Sequence, residues 1–349
     1  MSYQLAARET DDFIDVGHRP SDDAFAPLIG RSSAIRQAVQ LARRVSARGA
    51  GTVLIMGETG TGKEVFARAI HNGGPNRNAP FVAVNCAAIP AQLLEAELFG
   101  YERGAFTDAR QKKQGLLELA RDGTLFLDEV SSLPFDLQPK LLRALEERRV
   151  RRVGGFDEIE VRCRVTAATN VTLEQLVDEG AFREDLFYRL NVLRVSVPPL
   201  RERGGDVRVL AEHILSELAD AQGLPNVRMT EEAVRALDAH AWPGNVRELK
   251  NVLERALLMS DAREIRVDSL GMGTRAPSLE PAPVLEDDAA DDALIRVPAE
   301  GRSLKSVEAE LVGLTLRSTG GNKSAAARAL GISRPTLHRK IAEYGITDS

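Results

Sequence analysis

The apolar positions between residues 28 and 200 form short runs that alternate with segments of helical spacing. Short apolar runs are typical of strands buried on both faces of a parallel sheet, which helices then cover. The pattern predicts a helix from Ala34 to Val45 and strands at 52–56, 81–85, 124–128 and 163–168. We therefore expect residues 25–202 to form an α/β domain with a parallel sheet covered by helices.

After Arg201 the pattern becomes wholly helical. Apolar residues recur at helical spacing from Val207 to Ala219, from Thr230 to Ala241 and from Val246 to Ser260. Thr230 is a good N-cap, because its hydroxyl can accept a hydrogen bond from the first turn of the helix. We expect residues 203–270 to form a small helical lid on the α/β domain.

Two segments lack a sustained apolar period. Residues 1–24 carry six acids against two arginines, and residues 271–302 combine prolines with acidic runs. Such segments bury too little apolar surface to fold, and like charges extend them. The first is predicted to be a mostly unstructured tail without room for a sensory domain, and the second to be a flexible linker.

Composition excludes several classes of protein. The chain has 349 residues, 43% of them hydrophobic, a formal net charge of −5 and two cysteines, Cys86 and Cys163. Both cysteines fall in strand-like segments, so we expect buried thiols in a reducing cytosol rather than a disulfide framework. Neither a signal peptide nor a membrane-spanning run is apparent. The prediction is a soluble, cytoplasmic protein of two or three domains.

The C-terminal segment, 303–349, has the spacing of a helix-turn-helix. Ala327, Gly331 and Leu337 stand where a helix crossing, a turn and an apolar anchor are needed, and Pro335 suits the first turn of the second helix. Between residues 321 and 345, five basic side chains against one acidic give a net charge of +4. This charge predicts binding to DNA, although a three-helix module that binds only protein is the alternative. The candidate DNA contacts are Ser333, which can also cap the helix, Arg334, Thr336, Arg339 and Lys340.

A glycine-rich turn follows the strand at 52–56. Gly57-Glu58-Thr59-Gly60-Thr61-Gly62-Lys63-Glu64 precedes a helix, so its backbone N–H groups can converge on a phosphate that the helix N-terminus also attracts. Lys63 would reach the β- and γ-phosphates. The usual Ser or Thr magnesium ligand is replaced by Glu64. Either another residue holds the metal, or Glu64 does so through water.

Two acids end the predicted strand at 124–128. Asp128 and Glu129 would lie at the carboxyl edge of the sheet, where ligands bind in open α/β folds. Asp128 can hold Mg²⁺, and Glu129 can polarise the water that attacks the γ-phosphate. Together with the phosphate loop, this pair predicts an ATPase that uses ATP and Mg²⁺.

Five motifs in order resemble one family. They are the loop at 57–64, Gly-Ala-Phe-Thr-Asp-Ala at 104–109, the Asp128-Glu129 pair, Phe-Arg-Glu-Asp-Leu-Phe-Tyr-Arg-Leu at 182–190 and Trp-Pro-Gly-Asn-Val-Arg-Glu-Leu at 242–249. Over residues 25–345 the chain resembles the bacterial enhancer-binding proteins, the AAA+ activators of sigma-54 RNA polymerase, with a Fis-type C-terminal domain. A glutamate after the loop lysine is usual in that family.

The resemblance implies roles for further residues. Asn85 would hold Glu129 back until the nucleotide state releases it, although it could instead cap a turn. Asn170 would sense the γ-phosphate, and Arg247 would couple the lid to the nucleotide. Arg183 and Arg189 match arginine fingers delivered by a neighbouring subunit, a task suited to an always-charged guanidinium. Either arginine could instead form a surface ion pair.

The family also implies partners. Sites completed by a neighbour predict a homo-oligomeric ring, a hexamer in this family, with DNA-binding dimers. The loop Gly104, Ala105, Phe106, Thr107, Asp108 and Ala109 would contact sigma-54, with Asp108 replacing the family's glycine and adding a negative charge. A separate regulatory protein or the expression level would control activity.

Two kinds of function stay open. The first is an activator that binds upstream enhancer-like DNA, hydrolyses ATP and remodels the closed sigma-54 polymerase complex. The second is a DNA-binding AAA+ regulator whose ATP cycle controls assembly or repression without sigma-54, and Asp108 favours it. An AAA+ remodeller unrelated to transcription is disfavoured by the C-terminal domain.

Overall fold

The computed structural model describes residues 14–15, 23–49, 51–106, 109–224, 226–259, 264–271, 304–320 and 322–344. These residues fall into two compact units, one within 1–276 and one within 277–349. The predicted linker at 271–302 lies outside the described residues except for Gly271. No described helix is long and apolar enough to span a membrane.

A six-stranded sheet is the centre of the first unit, with strand order β1-β3-β6-β9-β2-β10. Five of its strands are parallel, and β1 pairs with β3 in the antiparallel sense. The described strands are β1 (Ile14–Asp15), β2 (Val53–Met56), β3 (Phe81–Asn85), β4 (Gly100–Tyr101), β5 (Lys113–Gln114), β6 (Thr124–Asp128), β7 (Arg149–Arg151), β8 (Glu158–Glu160), β9 (Arg164–Thr169), β10 (Leu193–Ser196), β11 (Arg228–Met229) and β12 (Glu264–Ile265).

Helices cover both faces of this sheet. Alternate residues of β2 point to opposite faces, so Leu54 packs in one core and Val53 and Ile55 in the other. The described α-helices are α1 (Ser33–Ala47), α2 (Lys63–Asn72), α3 (Ala91–Phe99), α4 (Leu116–Leu119), α5 (Gln138–Glu147), α6 (Leu173–Asp178), α7 (Glu184–Leu190), α8 (Asp206–Ala221), α9 (Glu231–Ala239), α10 (Asn245–Met259), α11 (Val267–Leu270), α12 (Leu304–Ser318), α13 (Lys323–Ala329) and α14 (Arg334–Tyr344).

The four strands predicted from apolar runs are confirmed to within one residue at each end. The predicted α/β class is confirmed with them. Both cysteines are buried free thiols, as expected, and burial raises the pKa of Cys86 to about 12 and that of Cys163 to about 11. β10 was not predicted, because it is short and its apolar residues alternate with exposed polar ones.

A short strand lies within the segment predicted to be a mostly unstructured tail. Ile14 and Asp15 pair with Val82 and Phe81, so this short stretch extends the sheet beyond β3. Without β1, the edge of β3 would present unpaired backbone groups. The pairing satisfies backbone groups without burying a long apolar run, which is why the apolar pattern does not reveal it.

The lid consists of α8, α9, α10 and α11 around its own apolar core. Thr230 caps α9 as predicted, since its Oγ1 accepts a hydrogen bond from the Ala233 N–H at 3.2 Å. The lid is not wholly helical, because β11 and β12 form a small parallel pair. Trp242, the only tryptophan of the chain, is fully buried in this core, and its Nε1–H donates to the Leu237 carbonyl at 2.9 Å.

Replacing Trp242 tests how much this core stabilises the lid. Trp242→Ala removes a fully buried aromatic side chain and leaves a cavity, and we expect a loss of about 3–5 kcal/mol in the free energy of unfolding. Phe156→Ala is the matched control, because Phe156 is 92% exposed and its removal should change stability little. Denaturant unfolding followed by circular dichroism compares them, and equal losses would contradict the packing assigned to Trp242.

Two hairpins project from the α/β domain. In the first, β4 pairs with β5, and in the second, β7 pairs with β8. The hairpins are joined through Val153, whose N–H donates to the Gly100 carbonyl at 2.9 Å and whose carbonyl accepts from the Glu102 N–H at 3.0 Å. The loop at 104–109 therefore stands on a two-hairpin base rather than on one flexible arm.

The second unit is a bundle of α12, α13 and α14. Its apolar core includes Val312, Leu316, Ala326, Ala327 and Leu337. The predicted helix-turn-helix is confirmed, with Ala327 and Leu337 buried and Gly331 in the turn at a φ of 67°. Ser333 caps α14, since its Oγ accepts from the Thr336 N–H at 3.3 Å.

Candidate functional site

The glycine-rich turn lies between β2 and α2 at the carboxyl edge of the sheet. Gly60 and Gly62 have left-handed φ angles of 78° and 96°, which glycine adopts without the penalty of a β-carbon. Gly62 is also the N-cap of α2. The turn therefore leads into a helix N-terminus, where unpaired backbone N–H groups attract anions.

Lys63 is the first residue of α2, and only 7% of its side chain is exposed. Its Nζ donates to the carbonyls of Gly57 at 3.0 Å and Glu58 at 3.4 Å, and lies 3.5 Å from Glu129 Oε1. An ammonium held inside the loop beside a carboxylate is placed to contact phosphate oxygens as a point charge.

The acidic pair lies at the carboxyl end of β6, the strand two positions from β2: Asp128 is its last residue and Glu129 follows it. Burial and then the neighbouring Glu129 raise the pKa of Asp128, while Lys63 opposes this shift. Glu129 itself adopts a left-handed backbone with φ 50° and ψ 51°. Such a conformation is unfavourable for a residue with a β-carbon and often marks a functional site.

The residues present fit a magnesium ion. Carboxylate oxygens are ligands that Mg²⁺ prefers, and Asp128 is a half-buried carboxylate whose negative charge a cation would stabilise. Its Oδ1 accepts a hydrogen bond from the Glu129 N–H at 3.1 Å. Glu64 is exposed and forms an ion pair with Arg68 at 2.9 Å, one turn further along α2.

Asn85 lies beside the acidic pair without binding it. Its strand register places it directly opposite Asp128, but its Oδ1 accepts from the Ala87 N–H at 2.9 Å. Glu129 instead lies next to Lys63. Among the described residues, the structure therefore has the turn-capping arrangement of Asn85 and no hydrogen bond between Asn85 and Glu129.

Asn170 and Arg247 both reach the phosphate loop. Asn170 follows β9, and its Nδ2 donates to Thr59 Oγ1 at 3.0 Å. The backbone N–H of Arg247 donates to the Gly60 carbonyl at 3.3 Å, so the start of α10 rests on the loop. Four neighbouring strand ends and the lid thus meet around one turn, although the predicted residues are spread over 190 positions from Gly57 to Arg247.

The two candidate finger arginines lie at opposite ends of α7. Arg183 precedes the helix and forms a forked ion pair with Asp185, at 3.0 and 2.6 Å. Arg189 lies in the last turn, where its Nη2 donates to the Leu145 carbonyl at 2.9 Å. Both side chains retain exposed surface, and neither contacts the phosphate loop of its own chain in the described structure.

The loop at 104–109 is closed by two backbone hydrogen bonds. The Gly104 N–H donates to the Ala109 carbonyl at 2.8 Å, and the Ala109 N–H donates to the Phe106 carbonyl at 3.0 Å. Phe106 packs edge-on against Tyr101, with ring centroids 4.9 Å apart, yet 45% of it is exposed. Thr107 and Asp108 lie outside the described residues.

Arg152 supports this loop and was not singled out from the sequence. It is nearly buried and donates to both carboxylate oxygens of Glu118, at 2.8 and 2.5 Å, and to Glu102 at 2.7 Å. These hydrogen bonds raise its pKa. The signal in the sequence is four arginines within the five residues 148–152, but charge alone does not identify the one that turns inward.

The candidate DNA contacts differ in their surroundings. Ser333, Arg334 and Arg339 are exposed, and Thr336 is half-buried with its hydroxyl 2.7 Å from Ser333 Oγ. Lys340 is occupied within the unit, because its Nζ donates to Glu308 Oε1 at 2.5 Å. Tyr344 donates to the other oxygen of Glu308 at 2.6 Å. The exposed arginines are thus better available to phosphates than Lys340.

Three family models match consecutive parts of the chain. The sigma-54 interaction domain matches residues 28–196, the AAA+ ATPase lid domain matches 201–283, and the Fis-family bacterial regulatory protein model matches 303–344. The matches therefore cover the sheet with its phosphate loop, the lid and the helix-turn-helix in turn.

Known proteins resemble the chain over most of its length. The transcriptional regulatory protein FlbD of Caulobacter vibrioides is 44% identical over 330 residues, which cover 92% of this chain and 71% of FlbD. The regulatory protein AtoC of Escherichia coli is 45% identical over 300 residues, which cover 84% of this chain and 63% of AtoC. A crystal structure of NtrX from Brucella abortus in complex with ADP has a TM-score of 0.66 and 35% identity, covering 91% of this chain and 70% of NtrX.

Proposed function

Because the chain belongs to the AAA+ ATPases with a sigma-54 interaction domain and a Fis-type DNA-binding domain, we propose that it activates transcription by remodelling the sigma-54 RNA polymerase closed complex. ATP hydrolysis would drive the remodelling. The ATPase part of this proposal rests on the contact between buried Lys63 and Glu129 at the phosphate loop.

The loop and its neighbours would have different roles in binding and hydrolysing ATP. The backbone of residues 57–64 and the ammonium of Lys63 would bind the phosphates. Asn170, after β9, and Arg247, in the lid, would respond to the bound phosphates. Mg²⁺, held through Asp128, would neutralise charge on the phosphate oxygens. Glu129 would accept a hydrogen bond from the attacking water and orient it, once ATP draws Lys63 away from its carboxylate.

Release of Glu129 is the step in which Asn85 would act. Its side chain lies at the carboxyl end of β3, in register with Asp128. The amide can exchange its bond with Ala87 for a bond to the Glu129 carboxylate without removing the negative charge. Asn85 would then hold the base in the nucleotide states that do not hydrolyse.

A ring of subunits completes the proposed site. Arg183 and Arg189 lie at the two ends of α7, which packs one face in the core. Both arginines retain exposed surface, with which they could reach the γ-phosphate site of a neighbouring copy. The proposed assembly is a homo-hexamer, with dimers formed by the C-terminal domains. The exposed side of α14 would bind upstream enhancer-like DNA, with Arg334 and Arg339 as its principal cations. As a DNA-binding regulator, the protein would act in the bacterial cytoplasm.

The loop at 104–109 would carry the contact with sigma-54. Its half-exposed Phe106 is held by Tyr101 and by the joined hairpins beneath it, which gives an apolar tip on a fixed base. A separate regulatory protein is proposed to control assembly. The second candidate is a regulator that does not engage sigma-54, and the observation that favours it is Asp108, whose charge would stand next to Phe106 and Thr107 in the contact.

Substitution of Asp108 separates these candidates. If the loop engages sigma-54, Asp108→Gly should strengthen that contact and leave ATP turnover nearly unchanged, because Asp108 is not among the residues proposed to bind the phosphates. Glycine removes both the charge and a backbone restriction, so Asp108→Asn is compared, since it removes the charge alone. Sigma-54 binding is measured in complexes trapped with ADP and aluminium fluoride.

Phe106→Ala is the control for a genuine loop contact. It should abolish sigma-54 binding in the trapped complex and activation at a sigma-54 promoter that carries this protein's own DNA site. If none of the proteins binds sigma-54 and Phe106→Ala leaves transcription unchanged, the activator is excluded and the sigma-54-independent regulator takes its place.

A further inference from the structure

A buried amide joins the phosphate loop to the lid. Asn245, the first residue of α10, is fully buried and has a left-handed φ of 53°. Its Oδ1 accepts from the Leu200 N–H at 2.7 Å, and its Nδ2 donates to the Thr59 carbonyl at 3.1 Å and to Glu58 Oε2 at 3.2 Å. One side chain thus bonds to Leu200, just before the lid, and to two residues of the phosphate loop.

The backbone beside Asn245 strengthens this junction. The N–H groups of Val246 and Arg247 donate to the Gly60 carbonyl at 3.0 and 3.3 Å. These belong to the first turn of α10, whose N–H groups have no partner within the helix. The phosphate loop and the segment before α10 lie so close together that a β-carbon on Gly60 would be 2.3 Å from the Gly244 carbonyl oxygen. The Gly60 carbonyl therefore caps the N-terminus of the lid helix.

Glu58 links Arg201, which also lies just before the lid, to Asn245. Its carboxylate binds the guanidinium of Arg201 through two hydrogen bonds, at 2.7 and 2.5 Å, and also accepts from Asn245. These hydrogen bonds lower the pKa of Glu58 to about 2, so the side chain is ionised at neutral pH. Among the described contacts, the Lys63 ammonium reaches the backbone carbonyl of Glu58 and not its carboxylate.

We propose that Asn245 is a positioning residue that couples the phosphate loop to the lid, so that nucleotide in the loop and the position of the lid control each other. The inference rests on the proposed ATP site and adds to it a residue that does not touch the nucleotide. Phosphate would bind to N–H groups of the loop and of the α2 N-terminus, whereas the carbonyls of Thr59 and Gly60 accept hydrogen bonds from the start of the lid helix. A change in loop conformation must therefore either move the lid or break these bonds, and the coupling is reciprocal.

An amide is required at this position because it must donate and accept at once. Aspartate could still accept from the Leu200 N–H, but it could not donate to the Thr59 carbonyl and would place a second carboxylate beside Glu58. Glutamine at position 58 could donate to that new carboxylate. The pair Glu58→Gln and Asn245→Asp therefore exchanges the polarity of the contact while leaving the net charge of the pair unchanged.

The test uses the full chain, with ATP turnover and the fluorescence of Trp242 as readouts. Trp242 is buried three residues before Asn245 and contacts the His240 ring, with centroids 4.6 Å apart, so its emission reports on the lid. We expect Asn245→Asp to raise KM for ATP about tenfold, with a smaller change in kcat, and to reduce the response of Trp242 to saturating ADP. Glu58→Gln alone removes the charge that pairs with Arg201, and its KM and fluorescence response are the reference with which the double variant is compared.

Rescue distinguishes positioning from loss of folding. The double variant should recover part of the KM and of the fluorescence response, because Glu58→Gln removes the second carboxylate although the Thr59 carbonyl stays without its donor. A merely destabilised lid would recover neither. Asn226→Asp is the matched control, an identical change at an exposed lid position with a left-handed φ of 65°. A wild-type KM and response in Asn245→Asp, or additive effects in the double variant, would overturn the inference alone. Absence of ADP binding by the wild-type chain would overturn the proposed ATP site and this inference with it.

Discussion

Glu129→Gln should bind ATP about as well as the wild-type chain and hydrolyse it several orders of magnitude more slowly, because glutamine fills the same space but cannot act as a base. Binding rests on the loop, Lys63 and Asp128, none of which the change removes. It also removes the charge that faces Lys63 at 3.5 Å, so the lysine becomes freer to reach phosphate. Single-turnover hydrolysis and equilibrium binding of ATP measure the two properties separately.

Two further variants make this result specific. Lys63→Ala should lose binding as well as hydrolysis, because it removes the cation of the loop. Glu64→Gln is the matched control, since it is the same chemical change on an exposed side chain that pairs with Arg68, and it should hydrolyse ATP at close to the wild-type rate. Turnover by Glu129→Gln at the wild-type rate would remove Glu129 from the mechanism. A large loss in Glu64→Gln would instead assign a metal contact to Glu64.

The sheet and the phosphate loop were predictable because their signals are local. Strands buried on both faces read as continuous apolar runs, and a glycine turn followed by lysine at a helix start has few other uses. The two-residue β1 carries no such signal, because its stabilisation comes from backbone pairing with Phe81 and Val82. Pairing of this kind depends on which edge is free, and the edge is known only once the strand order is known.

The site residues that escaped sequence reasoning all act across long separations. Asn245 bonds to Glu58, 187 positions away, and its role depends on the residues that its amide connects rather than on the reactivity of the amide. Lys340 was predicted to contact DNA because of its charge, yet its ammonium donates a hydrogen bond to Glu308, 32 positions away. Charge and spacing identify which side chains are able to bind a ligand. Tertiary structure decides which of them already have a partner.

Loss of the arginine finger should lower kcat by about three orders of magnitude or more, because an always-charged fork no longer stabilises the charge on the transferred phosphoryl group. We expect the larger loss from Arg189→Ala rather than Arg183→Ala. Arg183 already satisfies its fork with Asp185 in the same subunit, whereas Arg189 gives one nitrogen to the Leu145 carbonyl. ATP turnover is measured under conditions in which the subunits assemble, since the proposed finger acts only across an interface.

Mixing two inactive proteins tests whether the finger acts between subunits. In a ring of Arg189→Ala and Lys63→Ala chains, some interfaces combine an intact phosphate loop with an intact Arg189 from the neighbour, so part of the hydrolysis should return. Arg194→Ala is the matched control, because Arg194 is a similarly exposed arginine paired with Glu174 at 3.2 Å, and its loss should cost little turnover. If mixed rings form and no activity returns, Arg189 acts within its own subunit or not at all, and the same mixture with Arg183→Ala then decides whether the other end of α7 supplies the finger.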